Sequence, residues 1–177
     1  MTKTKDRGAA PLPLLIILWA ALIFIDQLTK SMAVKALAGG PIILWKGVLE
    51  LRYLENTGAA FSLMENRQFV FYIVAIAAIA GIFYILVHMP RKERRFVPLQ
   101  LVLTFISAGA AGNLIDRIQL HYVRDFIYFS LINFPVFNVA DIYVTCGVAL
   151  LIWLMLFYYK EDELSRILPE NRHPSEK

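Results

Sequence analysis

Four long apolar stretches, separated by polar connections, dominate the pattern of this chain. They cover approximately Leu12–Leu28, Phe69–Met89, Phe96–Ile115 and Val136–Tyr159. A helix needs about 20 mainly apolar residues to cross a bilayer, and each stretch is close to that length. We therefore predict an all-α membrane protein in which residues 12–159 form a domain of four transmembrane helices, between an N-terminal tail (1–11) and a C-terminal tail (160–177).

The composition agrees with a membrane domain. Of the 177 residues, 58% are hydrophobic, and the mean hydropathy of +0.57 is high for a soluble domain. The basic start and the first apolar run resemble a secretory signal peptide with a cleavage site at residues 36–38. However, the apolar run ends in the polar segment Asp26–Lys30, well before that site, so we expect the first span to be retained.

The distribution of basic residues predicts the orientation, because cytoplasmic loops of membrane proteins are enriched in lysine and arginine. Dense basic groups occur in the N-terminal tail and the second connection: Lys3, Lys5, Arg7, Arg91, Lys92, Arg94 and Arg95. We therefore place both termini in the cytoplasm and the longer connections, about residues 29–68 and 116–135, on the outer side. The first outer connection also carries basic residues, but they are spread out and mixed with glutamates.

The charge of the chain and the chemistry of its side chains limit the classes of partner and of site that we expect. The net charge of +4 comes mostly from the cytoplasmic excess and suits anionic membrane lipids. The basic residues are not interleaved with aromatic residues, which argues against a nucleic-acid partner. The only cysteine, Cys146, is expected to be a packed apolar thiol, because a nucleophile would need a histidine nearby. With so few cysteines and histidines, no metal site is expected.

The first outer connection contains signals for a small sheet. Gly39-Gly40-Pro41 should break any helix that extends the first span. Residues 48–53 partly alternate between apolar and polar, which favours a short strand. Residues 126–129 fit another strand or an interfacial segment. We predict a small outer β-cradle that rests on the membrane, with Trp45 and Tyr53 in an interfacial aromatic belt.

Polar residues beside the third and fourth spans are the leading functional candidates. They are two Asn-x-x-Asp pairs, Asn113/Asp116 and Asn138/Asp141, and Asp125 between them. Residues i and i+3 share a helix face, so each pair can present an amide and a carboxyl together. Acids at membrane depth are costly and are usually functional. Two carboxyls brought together share a proton, so one can activate water while the other polarises a peptide carbonyl.

Each acid also has a structural interpretation, and local sequence leaves these alternatives open. Asp116 fits a helix-end charge paired with Arg117. Asp125 fits a loop carboxylate in water, which local sequence favours. Asp141 at the start of a helix would stabilise the helix dipole, with Asn138 as the N-cap.

Two further positions are ambiguous in the same way. Asp26 and Lys30 lie one helical turn apart. They fit either an ion pair that positions the outer loops or an exposed pair that contributes only about 0.3–0.5 kcal/mol to stability. Asn56 belongs to the turn signal Asn56-Thr57-Gly58. Its amide fits either the turn alone or a group that holds the substrate backbone.

The motifs together resemble the bacterial lipoprotein signal peptidases, also called signal peptidase II. Five segments follow the order found in that family: Asp26–Lys30, Asn56–Phe61, Ala108–Arg117, Val123–Phe126 and Phe137–Asp141. Each segment alone would be a weak signal. Their order on four predicted spans, from the first span to the fourth, makes the resemblance strong.

The resemblance implies an aspartic endopeptidase that removes signal peptides from prolipoproteins. It would cleave on the N-terminal side of the diacylglyceryl-modified cysteine, near the outer face of the bacterial inner membrane, with no cofactor and as a monomer. The implied catalytic pair is Asp125 and Asp141. The residues implied to support the site are Asp116, Asn113, Arg117 and Asn138. The residues implied to order the outer loops and the bound peptide are Asp26, Lys30, Asn56 and Gly58.

Two positions depart from the pattern of the family. Ala108 stands where the family usually has the first of two glycines, and we expect the helix packing to tolerate it. Arg124 stands before Asp125, where the family commonly has an apolar residue. A neighbouring cation would lower the pKa of Asp125, unless Arg124 faces outward to phosphate headgroups.

Two other function classes fit an apolar chain with intramembrane acids. A small transporter or proton-relay protein would use the acids in an ion path. Many transporters have repeated halves, whereas only the short Asn-x-x-Asp pattern recurs here. A non-catalytic membrane subunit would keep its function after aspartate-to-asparagine substitutions.

Overall fold

A computed structural model describes residues 10–58, 68–90 and 93–167 of the chain. Its long helices are α1 (Leu12–Ala36), α2 (Gln68–His88), α3 (Val97–Leu120) and α4 (Val139–Trp153). A π-helical turn (Leu154–Tyr158) extends α4, and the short helix α5 (Glu161–Leu164) follows. Among the described residues, four helices are long and apolar enough to span a membrane, which confirms the predicted fold class.

Some residues of the sequence predictions lie outside the described parts of the chain. They are the basic residues Lys3, Lys5, Arg7, Arg91 and Lys92 and the end of the second motif, Ala59-Ala60-Phe61.

The first and third helices extend further than the apolar pattern predicts. Helix α1 continues past Leu28 to Ala36, and α3 continues past Asp116, where the outer connection was expected to begin. The predicted boundaries were wrong because Lys30 and Asp116, the charged residues at these points, are buried and paired inside the bundle. The expected helix break at Gly39-Gly40-Pro41 is confirmed, with Gly40 at φ 122°.

Helix α3 lies at the centre of the bundle and packs against α1, α2 and α4. In its most apolar window 56% of the residues are buried, against 6% for α2, so α2 is the more peripheral helix. Small residues permit the close packing. A Cβ on Gly109 would lie 2.4 Å from the Ala140 carbonyl oxygen, and one on Gly112 would lie 2.5 Å from Asp26 Oδ2. The neighbouring Ala108 is fully buried, and its methyl group is accommodated.

A three-stranded antiparallel sheet lies at one end of the bundle, with β1 (Ile42–Trp45), β2 (Leu49–Asn56) and β3 (Val123–Phe129) in that order. The strand predicted near residues 48–53 is confirmed, and of the two alternatives for residues 126–129 the structure shows the strand. Leu54 of β2 faces Asp125 of β3, and Leu49 faces Phe129. Beneath the sheet, Phe126 packs with Ala33 and Leu37 at the end of α1, so β3 is fixed over the bundle.

The main apolar core is at the opposite end of the bundle. Phe96 is fully buried and stacks on Tyr159, with ring centroids 5.7 Å apart. Arg95 binds Glu163 at 2.9 Å and so attaches α5 to the start of α3. Cys146 is exposed on α4, so the expected packed thiol is wrong. The four-helix bundle leaves that face of α4 uncovered for lipid.

Candidate active site

The start of α4 fixes one of the two candidate acids. Asn138 is the N-cap, and its side-chain oxygen accepts a hydrogen bond from the Asp141 backbone N–H at 3.0 Å. In return, Asp141 Oδ2 accepts the Asn138 backbone N–H at 3.0 Å. This reciprocal capping box satisfies two backbone donors that a helix start otherwise leaves unpaired. The capping interpretation of this pair is therefore correct, and the cap also sets the position of the Asp141 carboxyl.

Strand β3 places the second acid beside this cap. Asp125 Oδ1 accepts a hydrogen bond from Asn138 Nδ2 at 2.7 Å, and Asp125 Oδ2 accepts one from Asn56 Nδ2 at 2.8 Å. The side chain is only 1% exposed. The interpretation of Asp125 as a loop carboxylate in water is therefore wrong, because β3 turns this residue toward the bundle.

Two asparagines connect the two acids. Asn113 Nδ2 donates to Asp141 Oδ1 at 2.8 Å, while Asn113 Oδ1 accepts from Asn138 Nδ2 at 3.1 Å. Asn138 thus contacts both carboxyls directly, and Asn113 braces it from α3. Lys30 Nζ donates a hydrogen bond to Asn113 Oδ1 at 2.9 Å. The amide oxygen of Asn113 therefore faces Lys30, and its amide nitrogen faces Asp141.

Asp26 and Lys30 are part of the bundle interior. Both side chains are fully buried, and Lys30 Nζ lies 2.9 Å from Asp26 Oδ2 and 3.5 Å from Asp116 Oδ2. Asp26 Oδ1 also accepts the Ala140 backbone N–H at 3.0 Å, on the first turn of α4. The interpretation as an exposed pair is wrong. The pair joins α1 to α3 and α4, directly beneath the two acids.

Both carboxylate oxygens of Asp116 are bound by residues other than Arg117. The Arg124 side chain donates two hydrogen bonds to this carboxylate, from Nη2 to Oδ1 at 2.7 Å and from Nε to Oδ2 at 3.1 Å. The Arg124 backbone N–H donates a third to Oδ2 at 3.0 Å. Gln27 Nε2 donates to Oδ1 at 3.0 Å. The suggested pair with Arg117 is replaced by Arg124 and Lys30. With its oxygens saturated, Asp116 is a structural anion, not a candidate acid or base.

Arg124 also behaves differently from both sequence interpretations. Successive residues of a strand point to opposite faces, so Arg124 turns away from Asp125 and toward Asp116. It neither lowers the pKa of Asp125 nor faces phosphate headgroups. Burial raises the pKa of Asp125 to about 6, and the nearby Asp141 charge adds to the rise. The amides of Asn56 and Asn138 and the more distant Lys30 charge oppose it.

Residues around the site complete the arrangement. Asn56 Oδ1 accepts the Gly58 backbone N–H at 2.9 Å, so the Asn56 amide serves both the turn and Asp125. Gly58 has φ 83°, a backbone conformation that favours glycine, and a Cβ there would also crowd Phe71 Cε2 at 3.3 Å. The Arg117 guanidinium lies 5.2 Å from the Phe71 ring centroid, and its charge interacts with both Asp141 and Asp125.

Gln27 is a site residue that the sequence analysis did not single out. Its amide nitrogen donates to Asp26, Asp116 and the Gly112 carbonyl, and its oxygen accepts from Arg124 Nη2 at 2.8 Å. Its location within the first motif, beside Asp26, was the available signal.

Comparison with known proteins identifies what the chain resembles. Residues 18–157 match the Peptidase_A8 family, described as Signal peptidase (SPase) II. The lipoprotein signal peptidase of Latilactobacillus sakei is 41% identical over 76% of this chain and 88% of its own length. That of Streptococcus pyogenes serotype M1 is 37% identical over 80% and 90%. A bacterial membrane enzyme solved by the in meso method at 1.9 Å is 26% identical, with a TM-score of 0.77 over 86% of this chain and 99% of that one.

Proposed function

The chain belongs to the signal peptidase II family, and we propose that it removes signal peptides from prolipoproteins as an aspartic endopeptidase with Asp125 and Asp141 as its catalytic pair. The observation that carries this proposal is the shared contact with Asn138. One asparagine holds a carboxyl of β3 and a carboxyl of α4 at the same place, at the end of a membrane bundle.

The proposed reaction is direct attack of water on the scissile peptide. Asp141 takes a proton from the water, whose oxygen bonds to the carbonyl carbon, while Asp125 gives its proton to the carbonyl oxygen. The tetrahedral intermediate then collapses and the C–N bond breaks, as Asp141 gives the proton it took from water to the leaving nitrogen and Asp125 regains its proton from a hydroxyl group of the intermediate. The raised pKa of Asp125 supports its role as the protonated member. The charge of Arg117 near both acids would stabilise the negative charge that develops.

The proposed substrate carries diacylglycerol on the cysteine after the cleavage site. Such a substrate is confined to the bilayer plane, so the acids must lie close to the membrane surface. Asp125 is on the sheet at the bundle end, and Asp141 is in the first turn of a spanning helix. This arrangement suits the outer face of the bacterial inner membrane, with both termini in the cytoplasm and one monomer supplying the whole site.

A transporter or proton-relay role is less well supported. The recurring Asn-x-x-Asp pattern would have to mark repeated halves, but its two acids have different environments. Asp116 is bound to two cations and Gln27, whereas Asp141 is bound only by asparagine groups among the hydrogen bonds of the described residues. The pattern is therefore not a structural repeat.

Cleavage of a lipidated prolipoprotein by the purified full chain would test the proposed function. We expect hydrolysis on the N-terminal side of the diacylglyceryl cysteine, identified by the mass of both products. The same prolipoprotein with an unmodified cysteine serves as the control and should remain intact. A folded protein that cuts neither substrate would refute the peptidase proposal, and proton-flux measurements would then test the relay.

The activity is expected to fall as the pH rises above about 6, the pKa of Asp125. An acid with a raised pKa keeps its proton up to that pH, and the reaction uses that proton, so ionisation removes the active form. The kcat/KM profile reports the free enzyme and should lose about tenfold per pH unit on this alkaline limb. A rate that instead rises through pH 6 to a plateau would assign Asp125 the role of base.

A further inference from the structure

Four charged side chains of alternating sign lie in a row beside the proposed catalytic pair. We name them the charge row and define it by Asp26, Lys30, Asp116 and Arg124. Lys30 Nζ lies 2.9 Å from Asp26 Oδ2 and 3.5 Å from Asp116 Oδ2. Arg124 Nη2 lies 2.7 Å from Asp116 Oδ1, and the Arg124 side chain is only 13% exposed. Two buried carboxylates are thus balanced by two cations, which a buried ion network requires.

Lys30 is the member of the row that reaches the second acid. Its Nζ donates to Asn113 Oδ1 at 2.9 Å, and Asn113 Nδ2 donates to Asp141 Oδ1 at 2.8 Å. Its distance to Asp116 is longer than an ordinary hydrogen bond. The ammonium is therefore held nearer to Asp26 and Asn113 than to Asp116.

Arg124 explains why Lys30 can stay in that position. The Arg124 guanidinium supplies the main charge partner of Asp116, and Gln27 Oε1 accepts from Arg124 Nη2 at 2.8 Å. Without this guanidinium, two carboxylates would share one ammonium. The attraction between opposite charges grows as they approach, so Lys30 would move toward Asp116 and away from Asn113. The amide that orients Asp141 would then lose its donor.

Arg124 also attaches the strand that carries the first acid. Its backbone N–H donates to Asp116 Oδ2 at 3.0 Å, and its side chain bonds to Asp116 of α3 and Gln27 of α1. Strand β3 is therefore bonded to two helices at the residue directly before Asp125. Since neighbouring strand residues point to opposite faces, the same attachment directs Asp125 to the other side, where it meets Asn138.

We propose that Arg124 is a positioning residue for the cleavage reaction. It holds β3 at the residue before Asp125, and it pairs with Asp116 so that Lys30 remains on the amide that orients the second acid. Arg124 itself does not contact the substrate, because its side chain is turned into the bundle. The effect on activity rests on the proposed function, whereas the attachment of β3 does not depend on the reaction.

Arg124→Val and Arg124→Lys test the effect on the reaction. Valine suits a strand but removes the guanidinium. We expect kcat on lipidated prolipoprotein to fall about 10²-fold with KM unchanged, because small misplacements of reacting groups have about that effect. Arg124→Lys restores the charge without the paired hydrogen bonds and should recover part of the loss. An unchanged kcat in folded Arg124→Val, or a raised KM alone, would overturn the proposal.

Two further variants control for charge. Arg52→Val is the same change at an exposed position of β2 and should keep full kcat and KM. Adding Asp116→Asn to Arg124→Val removes the carboxylate that would attract Lys30 away from Asn113. The double variant should therefore have a higher kcat than Arg124→Val alone, and an equal or lower kcat would overturn the route through Lys30.

Amide hydrogen exchange tests the attachment of β3 separately from the reaction. The full-length proteins are exchanged in detergent, and the peptic fragments that cover β3 are weighed. We expect faster exchange in Arg124→Val, an intermediate rate in Arg124→Lys and no change in Arg52→Val. Unchanged exchange in both Arg124 variants would overturn the proposal, and Arg124→Lys alone decides it if Arg124→Val does not fold. Faster exchange in a protein that cleaves no substrate would refute the proposed function and still confirm the attachment.

Discussion

Asp125→Asn and Asp141→Asn are each expected to reduce cleavage of a lipidated prolipoprotein by about 10³-fold or more, because each removes one of the two groups that we propose act together. An amide at position 141 can no longer take a proton from water. An amide at position 125 has no acidic proton to give to the carbonyl oxygen. Initial rates with the purified variants, at saturating and at low substrate, would measure the loss in kcat and in kcat/KM.

Folding must be checked separately for these two variants. Each oxygen of the two carboxyls accepts a hydrogen bond from an N–H donor, so an introduced amide nitrogen would face another donor. Thermal unfolding and binding of the substrate peptide should therefore be measured beside the rates. Asp162→Asn, on the exposed surface of α5, is the matched control and should keep full activity. Retained cleavage by a folded Asp125→Asn protein would exclude Asp125, and the saturated Asp116 could not replace it.

Lys30→Met is expected to destabilise the protein by about 3–5 kcal/mol, because it leaves a buried carboxylate without its cation. Asp26 keeps only Gln27 and the Ala140 N–H, and Asn113 loses the donor that orients its amide. Both effects act at the contact of α1, α3 and α4. The free energy of unfolding in detergent and the cleavage rate should therefore fall together.

A matched substitution and a double variant distinguish the effect of removing the buried charge from the effect of changing the side chain. Lys35→Met is the same change on the same helix at an exposed position, and it should have little effect. Adding Asp26→Asn to Lys30→Met removes one charge of each sign and should recover part of the lost stability, which a double-mutant cycle would quantify. Equal unfolding temperatures for Lys30→Met and the unchanged protein would contradict the buried network.

The parts of the fold that could be predicted from the sequence are those set by local patterns. Four spans follow from apolar runs, and β2 follows from partial alternation. Strand β1 was missed because Ile42–Trp45 is apolar throughout, so it shows no alternation. Its exposure on both faces shows why alternation is absent: neither face of β1 is covered by the described protein.

The parts that could not be predicted depend on contacts between distant segments. Asp116 pairs with Arg124 and not with Arg117 because of the direction in which the Arg124 side chain leaves β3. The extension of α1 past Leu28 depends on burial of Lys30 against α3. For the same reason local sequence favoured a solvated Asp125, and only the resemblance to a family implied its catalytic role. Burial of this carboxyl requires Asn56 and Asn138, which are remote from it along the chain.

Asn138 has a consequence for resistance to inhibitors. It caps α4, contacts Asp141 through its backbone and side chain, and donates to Asp125. A compound that bound the two acids through the groups around Asn138 would leave few routes of mutational escape. A substitution that weakened the compound there would also remove the helix cap and displace one of the two carboxyls proposed to be catalytic. Escape variants should therefore arise at residues that contact the periphery of such a compound, where each side chain has only one structural role.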